Sequence, residues 1–366
     1  MHYSKPREPG RWGVTSLAAQ PATALTEGQG LTAMAHPMST AQSARRAASA
    51  LVRSRHLGLN FEAPFAVGEP LPDGPLADVT VRIGPSRPVP DDAPGPVVAQ
   101  LKPPNSAGYT VYSVEDGYVF RFPGLCEFEM SGDGRIVACL PGPACTDDIV
   151  QVLMAGTLTA WVLTLRGLAV LHASAVRRND VTVLVVGHSG RGKSTVAALF
   201  CAAGAELVAD DVVALENHPH GLVCAGLGSE LRLRQQASSI ADLFPPPLPE
   251  RRLTADGRLA IQPTRTSDEH NVVSAVLLPC PVRDGSEVAT RRLRPTQATL
   301  SLLANARIAG MVAPAMQKAY FETVSALAGV VPVLEARVPW GPPFHIETAR
   351  ELLALTAAAG AGPEGA

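Results

Sequence analysis

The stretch from Val181 to Leu215 constrains this chain most. It reads Val-Thr-Val-Leu-Val-Val, then Gly187-His188-Ser189-Gly190-Arg191-Gly192-Lys193-Ser194-Thr195, then an Ala-rich run closed at Gly204, then Glu206 to Asp211. A buried β-run, a G-x-x-x-x-G-K-[ST] loop and a helix in that order specify a phosphate-binding loop, and the flanks give the pattern its meaning. Gly187, Gly190 and Gly192 admit positive φ and let backbone N–H groups approach phosphate oxygens where a Cβ would obstruct them. Lys193 offers a point charge to the β- and γ-phosphates, Ser194 offers a hydroxyl to Mg²⁺, and the helix points its positive end at the anion. Gly187, Ser189, Gly190, Arg191, Gly192, Lys193, Ser194 and Thr195 are therefore the expected nucleotide-binding residues. The side chains of His188 and Arg191 occupy free positions of the loop and are expected to face solvent.

Composition narrows the class. The 366 residues are 46% hydrophobic and 17% charged with a net charge of −2, which suits a soluble protein of about two domains. No basic excess marks a nucleic-acid footprint, so DNA and RNA are not expected partners. Lys5, Lys102, Lys193 and Lys318 are the only lysines, so a lysine in the loop is a rare residue placed where phosphate chemistry wants one. The six cysteines form no C-x-x-C pair, sit mostly in apolar runs and read as reduced core residues of a cytoplasmic protein. No signal peptide is evident. The apolar run from Val150 to Leu165 stops at Arg166-Gly167, short of the roughly 20 residues of a membrane span, so no membrane role is expected.

Along the chain, residues 1–50 are rich in Pro, Ser, Thr, Gln and Ala and are expected to be disordered. Residues 51–147 carry alternating runs, including Ala77 to Ile83 and Gly117 to Phe122. Ser131-Gly132-Asp133-Gly134 sits between two further runs as a hairpin turn, which predicts a small β-rich N-terminal domain. A second domain, 148–359, follows a helix start at Thr146-Asp147-Asp148. It should contain one strand from Leu168 to Val176 with His172 within it, the loop, and short strands from Val212 to Leu215, Leu222 to Ala225 and Leu231 to Leu233. Phe244 to Arg252 is Pro-rich and charged, either a plain surface loop or a substrate-facing one. Strands at Val272 to Leu278, Val288 to Leu293 and Glu335 to Val338 and helices at Thr296 to Asn305, Ala315 to Leu327 and Ile346 to Ala359 complete it. Residues 360–366 are expected to be a frayed tail. Periodicity alone predicts α/β with many strands.

The order Leu171-His172-Ala173-Ser174, then Gly-x-Ser-Gly-x-Gly-Lys-Ser, then Gly204-Ala-Glu-Leu-Val-Ala-Asp210-Asp211 resembles the catalytic domain of HPr serine kinase/phosphorylase and its divergent relatives, among them lasso-peptide precursor kinases. The resemblance is sharp from Arg166 to Leu233. It implies a phosphoenolpyruvate-carboxykinase-like fold, ATP and Mg²⁺ as cofactors, and a protein or peptide substrate with an acceptor Ser or Thr. It also implies roles: Lys193 and Ser194 for phosphate and metal, Asp211 to take the acceptor's proton, Asp210 near the metal, His172 as the histidine before the loop. Glu230-Leu231-Arg232 resembles the family's Glu-Ile-Arg segment, making Glu230 a metal carboxylate. The expected catalytic residues are thus Asp211, His172 and Lys193, and the expected metal residues Ser194, Asp210 and Glu230. Elementary chemistry agrees, since phosphoryl transfer needs positioning, charge neutralisation and a carboxylate to receive the hydroxyl proton.

Two departures turn the acceptor away from HPr. Thr195-Val196 stands where HPr kinases carry Glu after the Lys-Ser pair, and the N-terminal region does not resemble their regulatory domain. A ribosomal natural-product precursor peptide is the acceptor this suggests. Two rival readings stay open: a non-catalytic ATP-binding module, and a small-molecule kinase of the same fold. Arg251, Arg252 and Arg265 are candidates for a transition-state cation, with nothing to choose among them. Assembly into a homo-oligomer is also left open.

Overall fold

A computed structural model describes residues 50–71, 73–103, 108–225, 230–263, 270–283 and 287–360. The expected disorder of 1–50, nearly all of the tail and Arg265 lie outside the described residues. The first half is a nine-stranded sheet of β1 (Val52–His56), β2 (Leu59–Ala63), β3 (Glu69–Pro70), β4 (Val79–Ile83), β5 (Val97–Leu101), β6 (Tyr109–Val114), β7 (Gly117–Phe122), β8 (Cys126–Ser131) and β9 (Ile136–Pro141), ordered β3-β1-β2-β4-β9-β8-β7-β6-β5. The β8–β9 turn forms as its residues predict: the Ser131 hydroxyl donates to Asp133 and accepts from the Ile136 N–H. β1 turns sharply into β2 at Leu57, which takes φ 49°, and Gly58.

Helix α1 (Asp147–Leu165) starts at Thr146, whose hydroxyl accepts from the Ile149 N–H, satisfying one of the orphan donors of a helix start. Its middle turn, Met154–Leu158, is a π-helix. At 19 residues α1 is longer than the apolar run read from the sequence and long enough to cross a membrane on length and composition. It is nonetheless a core helix here, because Met154, Leu158 and Trp161 are fully buried and Trp161 packs edge-on against Phe120 of β7.

The second sheet is mixed. It comprises β10 (Ala169–Leu171), β11 (Ala173–Arg178), β12 (Val181–Val186), β13 (Glu206–Ala209), β14 (Val213–His218), β15 (Gly221–Ala225), β19 (His270–Val282), β20 (Ala289–Arg292) and β21 (Val333–Pro339). The main path is β10-β14-β15-β19-β12-β11-β13, with β21 parallel to β19 and β20 antiparallel to β21. A small sheet of β16 (Leu231–Leu233), β18 (Leu259–Gln262) and β17 (Glu250–Leu253) is also formed, and α2 (Lys193–Ala202) follows the glycine-rich loop at residues 187–192. α3 (Pro295–Leu303), α4 (Pro314–Val330) and α5 (Ile346–Gly360) match the helices read from periodicity.

Two expectations need correction. Leu168 to Val176 is not one strand: it breaks at His172 into β10, which pairs with β14, and β11, which pairs with β12 and β13. The chain from β13 to β14 breaks at the same level, at Asp210 to Val212. A continuous apolar run hides such a break, since periodicity cannot tell a strand from two that change partners. The second correction concerns Phe244 to Arg252, which ends not as a free loop but in β17, where Arg251 pairs across with Ile261.

Candidate functional site

The paired breaks build the site. Both strands leave one partner for the next at the same height, so His172 and Asp211 are brought together there. His172 Nδ1 lies 3.2 Å from Asp211 Oδ1 and 3.3 Å from the Asp211 carbonyl. Asp211 takes φ 70°, a left-handed conformation that Asp tolerates better than most residues and that recurs where a site holds a side chain in place.

Asp210 turns to the other side. Its carboxylate accepts from Ser194 Oγ, at the end of the glycine-rich loop, at 2.9 Å, from Ser174 Oγ at 2.5 Å and from the Arg232 N–H at 3.2 Å. The loop residue and the carboxylate that the sequence places 16 positions apart thus meet directly. Lys193 folds back and donates to the His188 carbonyl at 3.2 Å. It is buried, and burial, only partly offset by Asp211 and Asp210, pushes its ammonium down to about 8. The His188 and Arg191 side chains are exposed, as their positions predicted.

The loop itself needs its glycines. Gly190 and Gly192 have φ of 82° and 88°. A Cβ on Gly192 would stand 2.1 Å from the Trp340 ring, so the aromatic of the β21 end lies directly on the loop. Loop, Lys193, Ser194, Thr195, His172, Asp211 and Trp340 line a common cleft of about 440 Å³.

Two guanidiniums complete the site, and the sequence pointed to neither. Arg232 Nη2 lies 3.3 Å and Arg307 Nη2 3.0 Å from Asp211 Oδ2. Burial disfavours the Asp211 charge, but Arg307, His172 and Arg232 outweigh it and hold the carboxyl well below the usual carboxylate range. Arg232 closes the Glu230-Leu231-Arg232 segment, in which the resemblance gives a role to Glu230 alone. Arg307 had no signal: it arrives because residues 305–307 lie along β10, with the His172 N–H donating to Asn305 and the Arg307 N–H to Val170. Gly156, within the π-turn, leaves room for it, since a Cβ there would stand 2.8 Å from Arg307 Nη2. π-turns are rare and recur at functional sites.

Of the cations offered from sequence, Arg251 pairs with Asp242, away from the carboxylates, and Arg252 pairs with Glu230 at 2.8 Å. Glu230 shares a cavity with Asp210 and Asp211 but is engaged by Arg252. No group of three or more His, Cys, Asp or Glu side chains among the described residues is arranged to hold a metal. Ser194 Oγ beside Asp210 Oδ1 still fits Mg²⁺, a hard cation that takes one or two protein oxygens and completes its shell with phosphate and water.

No family model matches the chain, and no curated protein matches it. Among solved structures, the Hpr(Ser) kinase/phosphatase from Coxiella burnetii is similar over 52% of this chain and 92% of its own, at 15% identity and a TM-score of 0.26. At that score the two backbones share too little for residue roles to be transferred.

Proposed function

We propose that this chain is an ATP- and Mg²⁺-dependent kinase of phosphoenolpyruvate-carboxykinase-like fold that transfers the γ-phosphoryl group to a Ser or Thr hydroxyl of a protein or peptide. The observation that carries the reading is an acid pair of which one member contacts the Gly187–Ser194 loop and the other lines the same cleft as that loop. Ser194 Oγ meets Asp210, while Asp211 is held in place by His172, Arg232 and Arg307. A module that only binds nucleotide needs the loop and Lys193 but has no use for a second, fixed carboxylate.

In this reading the loop N–H groups and Lys193 hold the triphosphate, and Ser194 and Asp210 would hold Mg²⁺. The metal supplies neutralisation of the phosphate oxygens as charge develops. The acceptor oxygen bonds to the γ-phosphorus as the bond to the β–γ bridging oxygen breaks, and ADP leaves with that electron pair. The hydroxyl proton passes to Asp211. Its low pKa suits a carboxylate that orients the hydroxyl throughout and accepts the proton late, in the loose transition state of such transfers. The acceptor we favour is a ribosomal natural-product precursor peptide, of the kind lasso-type kinases modify, on the departures at Thr195-Val196 and in the N-terminal half.

Transfer from radiolabelled ATP to candidate peptides tests the reading. Asp211→Asn is expected to cut transfer by roughly 10²- to 10⁴-fold, the usual worth of a positioned base, with ATP affinity within about threefold of wild type. Lys193→Ala is expected to abolish both. Circular dichroism controls for folding, because Asp211→Asn leaves two guanidiniums without their partner. Wild-type transfer rates in a folded Asp211→Asn variant would sink the assignment.

A further inference from the structure

Asp210, Asp211 and Arg232 also line a second, smaller cavity of about 140 Å³, whose walls do not include Lys193. Its other walls come from distant parts of the chain. His56, Leu57 and Gly68 belong to the N-terminal sheet, Asp148, Gln151, Val152 and Ala155 to α1, and Arg252, Thr254 and Ala255 to the β17–β18 hairpin. Asp211 and Arg232 are common to both spaces, so a group in the small cavity meets the nucleotide cleft across the proposed base.

Three features describe what such a cavity accepts. Its volume matches a cavity that holds one benzene-sized group, so it takes one side chain and not a folded segment. Its walls carry four carboxylates, Asp148, Asp210, Asp211 and Glu230, against two guanidiniums, Arg232 and Arg252, which disfavours an anionic guest. One wall residue has spare hydrogen-bonding capacity. His56 Nε2 is 3.0 Å from the Ala155 carbonyl, which assigns the proton to Nε2 and leaves the buried Nδ1 lone pair without a partner.

We propose that this cavity is the acceptor site and that it takes a single Ser or Thr side chain presented by a neutral or basic peptide segment, with the N-terminal sheet forming one wall of the specificity pocket. The proposal rests on the kinase reading. The N-terminal half is then part of the site and not a separate appendage, because His56 and Gly68 line the same cavity as Asp211. Gly68 is required there: it has φ 82°, and a Cβ on it would stand 2.3 Å from the Arg55 carbonyl.

A peptide array with Ser flanked by Lys, by neutral residues or by Glu, together with free serine amide, is incubated with the full-length protein and radiolabelled ATP. Lys-flanked and neutral peptides are expected to be labelled at least ten times faster than Glu-flanked ones. Val152→Phe fills the cavity and Ala255→Trp covers its mouth from an exposed position. Both are expected to lower kcat/KM for the peptide at least tenfold with the ATP Kd unchanged, and Ala255→Trp keeps the test open should Val152→Phe fail to fold. Wild-type peptide kinetics in Ala255→Trp, a preference for Glu-flanked peptides, or labelling of serine amide alone would overturn the proposal while leaving a kinase. Intact ATP binding with no acceptor labelled by wild type would instead remove the kinase reading, and this one with it.

Discussion

Lys193 sits among Asp210, Asp211, Arg258 and Arg307, and its ammonium at about 8 titrates where few lysines do. Triphosphate oxygens would restore its charge, so ATP binding above pH 8 takes up a proton. The sign follows: below pH 8 the group is charged before and after binding, and above it each pH unit weakens binding, by up to about tenfold for one proton. ATP Kd measured from pH 7 to 9.5 is expected to rise in the upper half of that range, and Lys193→Met is expected to flatten the profile as well as weaken it. A wild-type Kd unchanged to pH 9.5 would show that Lys193 does not meet phosphate. Lys193 and Ser194 are read from a local motif and the acid pair from the family resemblance, and the fold brings Ser194 and Asp210 into contact. Arg307 was legible in neither, because its position depends on which strand residues 305–307 lie beside, and that pairing leaves no trace in the neighbouring residues.

At the scale of elements, the π-turn of α1 and the broken strands do the positioning. The π-turn carries Gly156 past Arg307 with no room for a methyl group. Gly156→Ala is expected to push Arg307 off Asp211 and to reduce phosphoryl transfer by about tenfold or more, in line with the loss of one pre-positioned charge contact. ATP affinity, which depends on the loop, should change little. A thermal midpoint near wild type with transfer reduced would separate this from simple unfolding, and unchanged transfer would exclude a positioning role for the turn. The start of α1 was legible at Thr146, since capping is local chemistry. Its π-turn was not, because the turn answers to Arg307, 151 residues from Gly156 in the chain.

Across the whole molecule, one hydrophobic cluster runs from Leu57 in the N-terminal sheet through Trp161 of α1 to Val333 of β21. A second cluster surrounds α2 and the opposite face of the mixed sheet. The first joins the two halves that composition divides at residue 147, and α1 is the shared element. Denaturant unfolding followed by far-ultraviolet dichroism and by tryptophan fluorescence, to which Trp161 of α1 and Trp340 of the cleft both contribute, is therefore expected to give coincident transitions. An early, separate loss of the N-terminal sheet would show two independent cores. The sequence by itself determined the glycine-rich strand-loop-helix unit at Val181 to Ala202, the hairpin at Ser131 to Gly134 and the positions of most helices and strands, because each is written in a few adjacent residues. Only the tertiary structure decided that His172 lies at a strand break, that Arg232 and Arg307 hold Asp211, and that His56 lines one cavity with Asp210 and Asp211. Those are contacts between residues far apart in the chain, brought together by sheet pairing and a shared core that no local pattern encodes.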